Sequence, residues 1–276
     1  MECSAQWTRE RLAGADRVWL FLDYDGTLAD FAPTPDHVEP DPELIQLIER
    51  LSEQPCMRVT IVSGRRLDHV ARLVPVPGIL LAGSYGIELQ TPDGERASRV
   101  AYEAIRPTLD DLKPRWAGLI ADQQGFYLED KGWALALHAR FADDQRARTV
   151  LGAARHVAEQ EIPGDLFRLL GGHKFLEVGP NLAHKGKTVD FLLKEETEFR
   201  GLPVYVGDDD KDEEAFGVIK AHGGVAVLVS HEPRETGADC RVESPQAARR
   251  WLRMLLSFFD TRQAPNRGKR RFQGNV

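Results

Sequence analysis

Five short apolar runs, none of them alternating with polar residues, constrain this chain more than any other feature. They are Val18–Leu22 (VWLFL), Val59–Val62 (VTIV), Ile79–Ala82 (ILLA), Pro203–Val206 (PVYV) and Val225–Val229 (VAVLV). Runs of four or five residues without alternation fit strands buried on both faces of a parallel sheet. Helical patterns lie between them. Pro42-Glu43 opens one that carries Leu44, Ile45, Leu47, Ile48 and Leu51 at helical spacing, and Arg65–Leu73 and Lys187–Leu193 read as two more. Strand–helix alternation of this kind predicts an α/β fold with a doubly wound parallel sheet.

The middle of the chain follows another rule. Gly125–Leu128 and Trp133–Arg140 alternate apolar and polar residues around a turn at Asp130-Lys131-Gly132, as in a hairpin with one solvated face. A helical pattern follows at Asp143–Gln160, then two short strands near Phe167–Leu170 and Phe175–Val178. Residues 105–180 are therefore expected to form an inserted α+β domain. Residues 1–104 and 181–261 would build the α/β core around it, and 262–276 a basic, disordered tail. A length of 276 residues suits one large or two modest domains.

Charge and cysteine content narrow the function classes. Lys and Arg number 36 against 43 Asp and Glu, a net charge of −7, which disfavours nucleic acid as a partner. The start, MECSAQWTRE, lacks an apolar signal core, and no run is long enough to span a bilayer. Cys3, Cys56 and Cys240 are far apart, with neither metal-ligand spacing nor a disulfide framework. The expectation is a cytoplasmic protein with reduced cysteines and no membrane partner.

In an open α/β sheet, ligands bind beyond the carboxyl ends of the strands. The first run delivers Asp23-Tyr24-Asp25-Gly26-Thr27 there, the second Ser63, and the fourth Gly207-Asp208-Asp209-Asp210, with Asp212 and Glu213 close behind. Carboxylates crowded in this way raise one another's pKa unless a cation neutralises them. A hard divalent ion does so, and Mg²⁺ needs only one or two carboxylates. Asp23 is then a candidate nucleophile and Asp25 a general acid and base. Ser63 would hydrogen-bond a phosphoryl oxygen, and Lys185 in HKGK would neutralise developing charge. Taken singly, the DxD reads as a turn and Asp208–Asp210 as a solvated loop or helix cap. It is their order along the chain, strand–DxDGT, strand–SGR, KG–helix and strand–GDDxxDE, that points to chemistry.

That order resembles the haloacid dehalogenase superfamily of phosphohydrolases. FLDYDGTL (21–28) is similar to its first motif, Ser63 to its second, Lys185 to its third and VGDDDKDEEAF (206–216) to its fourth. The resemblance implies a Rossmann-like core and an aspartyl-phosphate on Asp23. It also implies Mg²⁺ held by Asp23, the backbone carbonyl of Asp25, and Asp208, with Asp209 and Asp212 as supporting acids or occasional ligands. The place of the insertion resembles the α/β, C2-type cap of enzymes acting on phosphosugars. SGR (63–65), GSYGIE (83–88), LEDKGWALALHAR (128–140), KFLEVGP (174–180), LAHKGK (182–187) and GDDDKDE (207–213) are most similar to the trehalose-6-phosphate phosphatases. On that likeness Gly64 and Arg65 join Ser63 at the substrate, and Glu129, Lys131 and Glu177 reach sugar hydroxyls. Tyr85 stands where the family carries His, Lys211 where it carries Thr, and Lys174 lies one position nearer Glu177 than the usual lysine. Phosphatases of sucrose phosphate or mannosyl-phosphoglycerate share the core and cap. A phosphomutase and a non-catalytic sugar-phosphate sensor are the remaining alternatives.

Overall fold

The computed structural model describes residues 1–31, 38–172, 174–196, 198 and 200–267, the side chains of 262–267 excepted. Its elements run α1 (Ala5–Leu12), β1 (Val18–Leu22), α2 (Pro42–Ser52), β2 (Met57–Val62), α3 (Leu67–Leu73), β3 (Leu80–Gly83), β4 (Glu88–Gln90), β5 (Arg96–Ser98), α4 (Tyr102–Ile120) and β6 (Tyr127–Asp130). They continue β7 (Leu135–His138), α5 (Asp144–Glu161), β8 (Phe167–Gly172), β9 (Phe175–Pro180), α6 (Lys185–Glu195), β10 (Leu202–Gly207), α7 (Asp210–Ala221), β11 (Val225–Val229), β12 (Cys240–Val242) and α8 (Pro245–Arg267).

Eight strands form one sheet in the order β12-β11-β10-β1-β2-β3-β4-β5, and the six from β12 to β3 are parallel. The chain lays β2 and β3 on one side of β1 and β10 to β12 on the other, so the winding reverses between β1 and β10. The unbroken apolar runs follow from burial on both faces. Val18, Leu20 and Leu22 belong to a core cluster with α2, α3 and α8, while Trp19 and Phe21 belong to another with α6 and α7. Thr60, a fully buried polar residue of β2, accepts a hydrogen bond from Trp19 Nε1 at 2.8 Å, as a buried hydroxyl requires. At the start of α2, Asp41 accepts from the Glu43 and Leu44 amides ahead of Pro42, and Leu44, Leu47, Ile48 and Leu51 are buried.

The chain divides into two compact units. One comprises residues 1–85, 89–96 and 184 onward, and the other 86–88 and 97–183. The second unit is a four-stranded antiparallel sheet, β6-β7-β9-β8, packed with α4 and α5. Leu137 pairs with Leu128 on one side and Leu176 on the other, giving an apolar row. Trp116 Nε1 donates to the Ala154 carbonyl at 3.0 Å and ties the two helices together.

Three features depart from expectation. Cys3 and Cys240 are disulfide-bonded, and Cys56 is a buried thiol outside that bond. Their separation of 237 residues hides a proximity created by a parallel bridge between Glu2 and Arg241. The argument from cysteine spacing to reduced thiols therefore fails. Helix α4 was not visible in the sequence because Pro107 and Pro114 lie inside it. Helix α8 continues to Arg267, so 262–267 are helical rather than disordered, and 268–276 lie outside the described residues. Among the described residues, no helix is long and apolar enough to cross a membrane.

Candidate active site

The register of the central strands sets the site. Leu22 pairs with both Val206 and Ile61, so β1, β10 and β2 end level and release Asp23, Asp208 and Ser63 at the same edge. Asp23 is 4% exposed, and its amide continues the ladder to the Val206 carbonyl at 3.0 Å. Lys185, the first residue of α6, places Nζ 2.8 Å from Asp23 Oδ1 and 2.6 Å from Asp212 Oδ1. The Thr27 hydroxyl lies 3.1 Å from Asp23 Oδ2 and 2.9 Å from Asp208 Oδ1, bridging the two strand ends. Gly26 makes the approach of Asp208 possible. Its φ is +78°, and a Cβ there would stand 2.2 Å from Asp208 Oδ2. Ser63 is buried, and its Oγ accepts from the Arg65 amide at 3.1 Å.

The charge balance is uneven. Burial pushes the Asp23 carboxyl up to about 8, with Lys185 opposing and Asp208 and Asp209 adding to the rise. Burial, then Asp212, lifts Asp208 to about 6. Burial disfavours the Lys185 ammonium, but Asp212 and Asp23 more than offset it and hold the group well above the usual lysine range. Ligand oxygens of Asp23, Asp208 and Asp212 lie within 4.8 Å of one another. Hard oxygen donors with raised pKa values, held close around a single lysine, fit a divalent cation. Asp212 is already saturated: it accepts from Lys185, from the Tyr205 hydroxyl at 2.7 Å, and from the Asp208 and Asp209 amides at 3.0 Å. Asp23 and Asp208 are thus the carboxylates with capacity for an ion. Asp209 caps α7 and pairs with Lys211.

Asp25 lies beside this cluster in a bidentate pair with Arg65, both contacts at 2.6 Å. The Arg65 side chain is largely buried and contacts His69 at 3.2 Å, so the structure holds Arg65 on Asp25. Gly64 packs under the ring of Tyr85. Thr27 and Tyr205 were missed as functional positions. Thr27 is inside the first motif, but its bridging contact is tertiary. The signal for Tyr205 was a hydroxyl in a doubly buried strand, which must find a partner.

The second unit carries the remaining candidates on a single face of its sheet. Ala136 on β7 pairs with Glu129 of β6 and with Glu177 of β9, so the two glutamates flank it. Glu177 is 1% exposed and bonds Lys131 Nζ at 2.6 Å. Glu129 contacts His138 Nε2 at 2.9 Å, and His138 stacks on Tyr127 with ring centroids 4.3 Å apart. Lys174 is engaged elsewhere, 2.7 Å from the Ala142 carbonyl and 2.9 Å from Asp144.

A family model described as trehalose-phosphatase matches residues 21–246. A trehalose 6-phosphate phosphatase of Zea mays is 32% identical over 269 residues, covering 91% of this chain and 73% of the maize protein. A trehalose-phosphate phosphatase of Mycobacterium ulcerans is 31% identical over 249 residues, covering 88% of this chain but 62% of its own length. Among solved structures, the C-terminal domain of Candida albicans trehalose-6-phosphate phosphatase superposes with a TM-score of 0.81 at 18% identity, covering 93% of this chain and 97% of that one.

Proposed function

The chain belongs to the trehalose-phosphatase family and is a phosphatase, and we propose that it hydrolyses trehalose 6-phosphate with Mg²⁺ through an aspartyl-phosphate on Asp23. The observation that carries this reading is a nearly inaccessible carboxylate at a strand end, held between the Lys185 ammonium and the Thr27 hydroxyl, with Asp208 across the bridge. Asp23, Asp208 and the backbone carbonyl of Asp25 would hold the Mg²⁺, which would supply positive charge to the carboxylates and phosphoryl oxygens.

The chemistry belongs to the chain's own groups. Asp23 Oδ attacks phosphorus as the bond to the sugar oxygen breaks, and protonated Asp25 gives that oxygen its proton. Asp25, now ionised, takes a proton from water, whose oxygen attacks the aspartyl-phosphate and releases phosphate and the Asp23 carboxylate. Lys185 and the Ser63 hydroxyl offset the charge on the phosphoryl oxygens in both steps. Because Arg65 grips both Asp25 oxygens, the pair must loosen before Asp25 reaches a leaving group. Glu129, Lys131 and Glu177 are proposed to bind sugar hydroxyls through charge-assisted hydrogen bonds.

The test is phosphate release from a panel of phosphosugars with Mg²⁺, followed by mass analysis of acid-quenched enzyme for a phosphoryl group on Asp23. Trehalose 6-phosphate should show the highest kcat/KM. Better turnover of sucrose 6-phosphate or mannosyl-phosphoglycerate would retain the chemistry and discard the sugar. A requirement for a sugar bisphosphate, without net phosphate release, would indicate a mutase.

A further inference from the structure

Two positions that depart from the family pattern, Tyr85 and Lys211, are 126 residues apart in sequence and meet in space. Lys211 is on the first turn of α7. Its Nζ lies 3.1 Å from Asp209 Oδ2 and 6.0 Å from the centroid of the Tyr85 ring. Tyr85 is fixed through its backbone on both sides and through its ring against Gly64. The Tyr85 amide donates to the Ser63 carbonyl at 2.9 Å, and its own carbonyl accepts from Thr188 Oγ1 at 2.8 Å. A Cβ on Gly64 would come within 2.7 Å of the ring carbons and 2.9 Å of the hydroxyl, so only glycine admits the ring there. Ser84 and Tyr85 both adopt left-handed φ values, +50° and +55°, which the surrounding contacts must hold in place.

The partner of Lys211 is the carboxylate whose role the sequence left open. Asp209 follows Asp208 directly and lies 3.9 Å from Lys185. Its Oδ1 accepts from the Lys211 and Asp212 amides at 2.9 and 3.2 Å, and its Oδ2 accepts from Lys211 Nζ. A short neutral side chain at 211 cannot supply that ammonium, and the Asp209 charge would then act on Asp23 and Asp208 without that offset. The ring face of Tyr85 favours a neighbouring ammonium. A histidine at this position would replace it with a group that becomes a second cation on protonation.

We propose that Lys211, backed by Tyr85, is a positioning residue that holds Asp209 as a helix cap and keeps its charge and oxygens out of the cation site. Asp23 and Asp208 are then the carboxylates left to the ion. This inference rests on the divalent-cation reading above, and it makes the two departures a coupled pair.

The test is isothermal titration of Mg²⁺ into the wild type, Lys211→Thr, Lys211→Arg, Tyr85→His and the Tyr85→His/Lys211→Thr double variant, with thermal melting as the check on folding. Removing a neighbouring cation should tighten Mg²⁺ binding about tenfold in Lys211→Thr. Lys211→Arg should retain wild-type affinity. The effect of Lys211→Thr should differ by more than about threefold between the wild-type and Tyr85→His backgrounds, since residues in contact couple. Lys211→Met, which keeps the aliphatic stem and loses the charge, should show the same tightening if Lys211→Thr fails to fold. Affinity within twofold of wild type, or weaker, in a folded charge-removing variant would overturn the proposal, and additive effects at the two positions would overturn the pairing. Absence of Mg²⁺ binding in every protein would instead overturn the divalent-cation reading itself.

Discussion

Replacing Asp23 with Asn should stabilise the metal-free protein while abolishing phosphate release. The folded protein binds the Asp23 proton up to a pH of about 8, whereas the unfolded chain releases it near 3.8. Between those values the native state holds the extra proton, so this group makes stability fall as pH rises from about 4 to about 8. The gap is about four pH units, and at about 1.4 kcal/mol each the ceiling at pH 8 is about 5–6 kcal/mol. That ceiling already includes the opposing Lys185 charge, and relaxation and water entry around a buried charge reduce it further, so about half of it, about 2–3 kcal/mol, should be realised. For a protein of this size that amounts to about 5–10 °C in Tm. Melting curves of both proteins in EDTA from pH 5 to pH 8 should diverge, the variant gaining on the wild type as pH rises. Saturating Mg²⁺ should close or reverse the gap, because an ion binds the ionised carboxylates of the wild type preferentially. A difference that does not grow between pH 5 and pH 8, or an EDTA-treated variant less stable than wild type at pH 8, would refute the reasoning.

Other outcomes follow from the same contacts. EDTA should remove activity, Mg²⁺ should restore it, and Asp208→Ala should raise the Mg²⁺ concentration needed for half-maximal phosphate release. Asp25→Asn should slow transfer from a sugar phosphate more than from an aryl phosphate, whose leaving group needs little protonation, as read in single-turnover assays. Glu129→Ala should cut kcat/KM for trehalose 6-phosphate about ten- to a hundredfold and leave aryl phosphate within about threefold. Lys131→Ala should also lower Tm, because it strips an ammonium from the nearly inaccessible Glu177 carboxylate, and Lys131→Met/Glu177→Gln should melt above Lys131→Ala. Reduction of Cys3–Cys240, or Cys3→Ser, should lower Tm by a margin corresponding to about 2–4 kcal/mol, as read in melting curves with and without reductant.

The core was legible for a physical reason. A strand covered on both faces by separate apolar clusters carries mostly apolar residues, so β1, β10 and β11 announce themselves, and their ends mark where polar chemistry begins. The catalytic candidates Asp23, Ser63 and Asp208 each sit within two residues of such an end. Contacts made across the chain left less trace. The Asp25–Arg65 pair spans 40 residues, the Thr27–Asp208 bridge 181 and the disulfide 237, and no local pattern encodes them. Helix α4 was obscured because two prolines remove backbone donors from a segment whose buried face, Ile105, Leu109, Leu112 and Trp116, nonetheless keeps helical spacing.

Lys174 shows how far a one-residue difference reaches. Alternate residues near a strand face opposite sides, so moving a side chain by one position sends it to the other face. Lys174 is three places from Glu177 and stands in the turn before β9 with φ +55°, and its side chain runs away from that glutamate. Its ammonium bonds the Ala142 carbonyl and Asp144 at the start of α5, while Glu177 is served by Lys131 from the hairpin turn. The shifted lysine has therefore been transferred from the face that carries the glutamates to the fastening of α5. Among the described residues, Lys131 is the lysine that accompanies Glu129 and Glu177 on that face. If this face sorts phosphosugars, its selectivity depends on Lys131 and on the His138 that bonds Glu129. Substitution at Lys174 should then change the stability of the unit without changing the ranking of sugars.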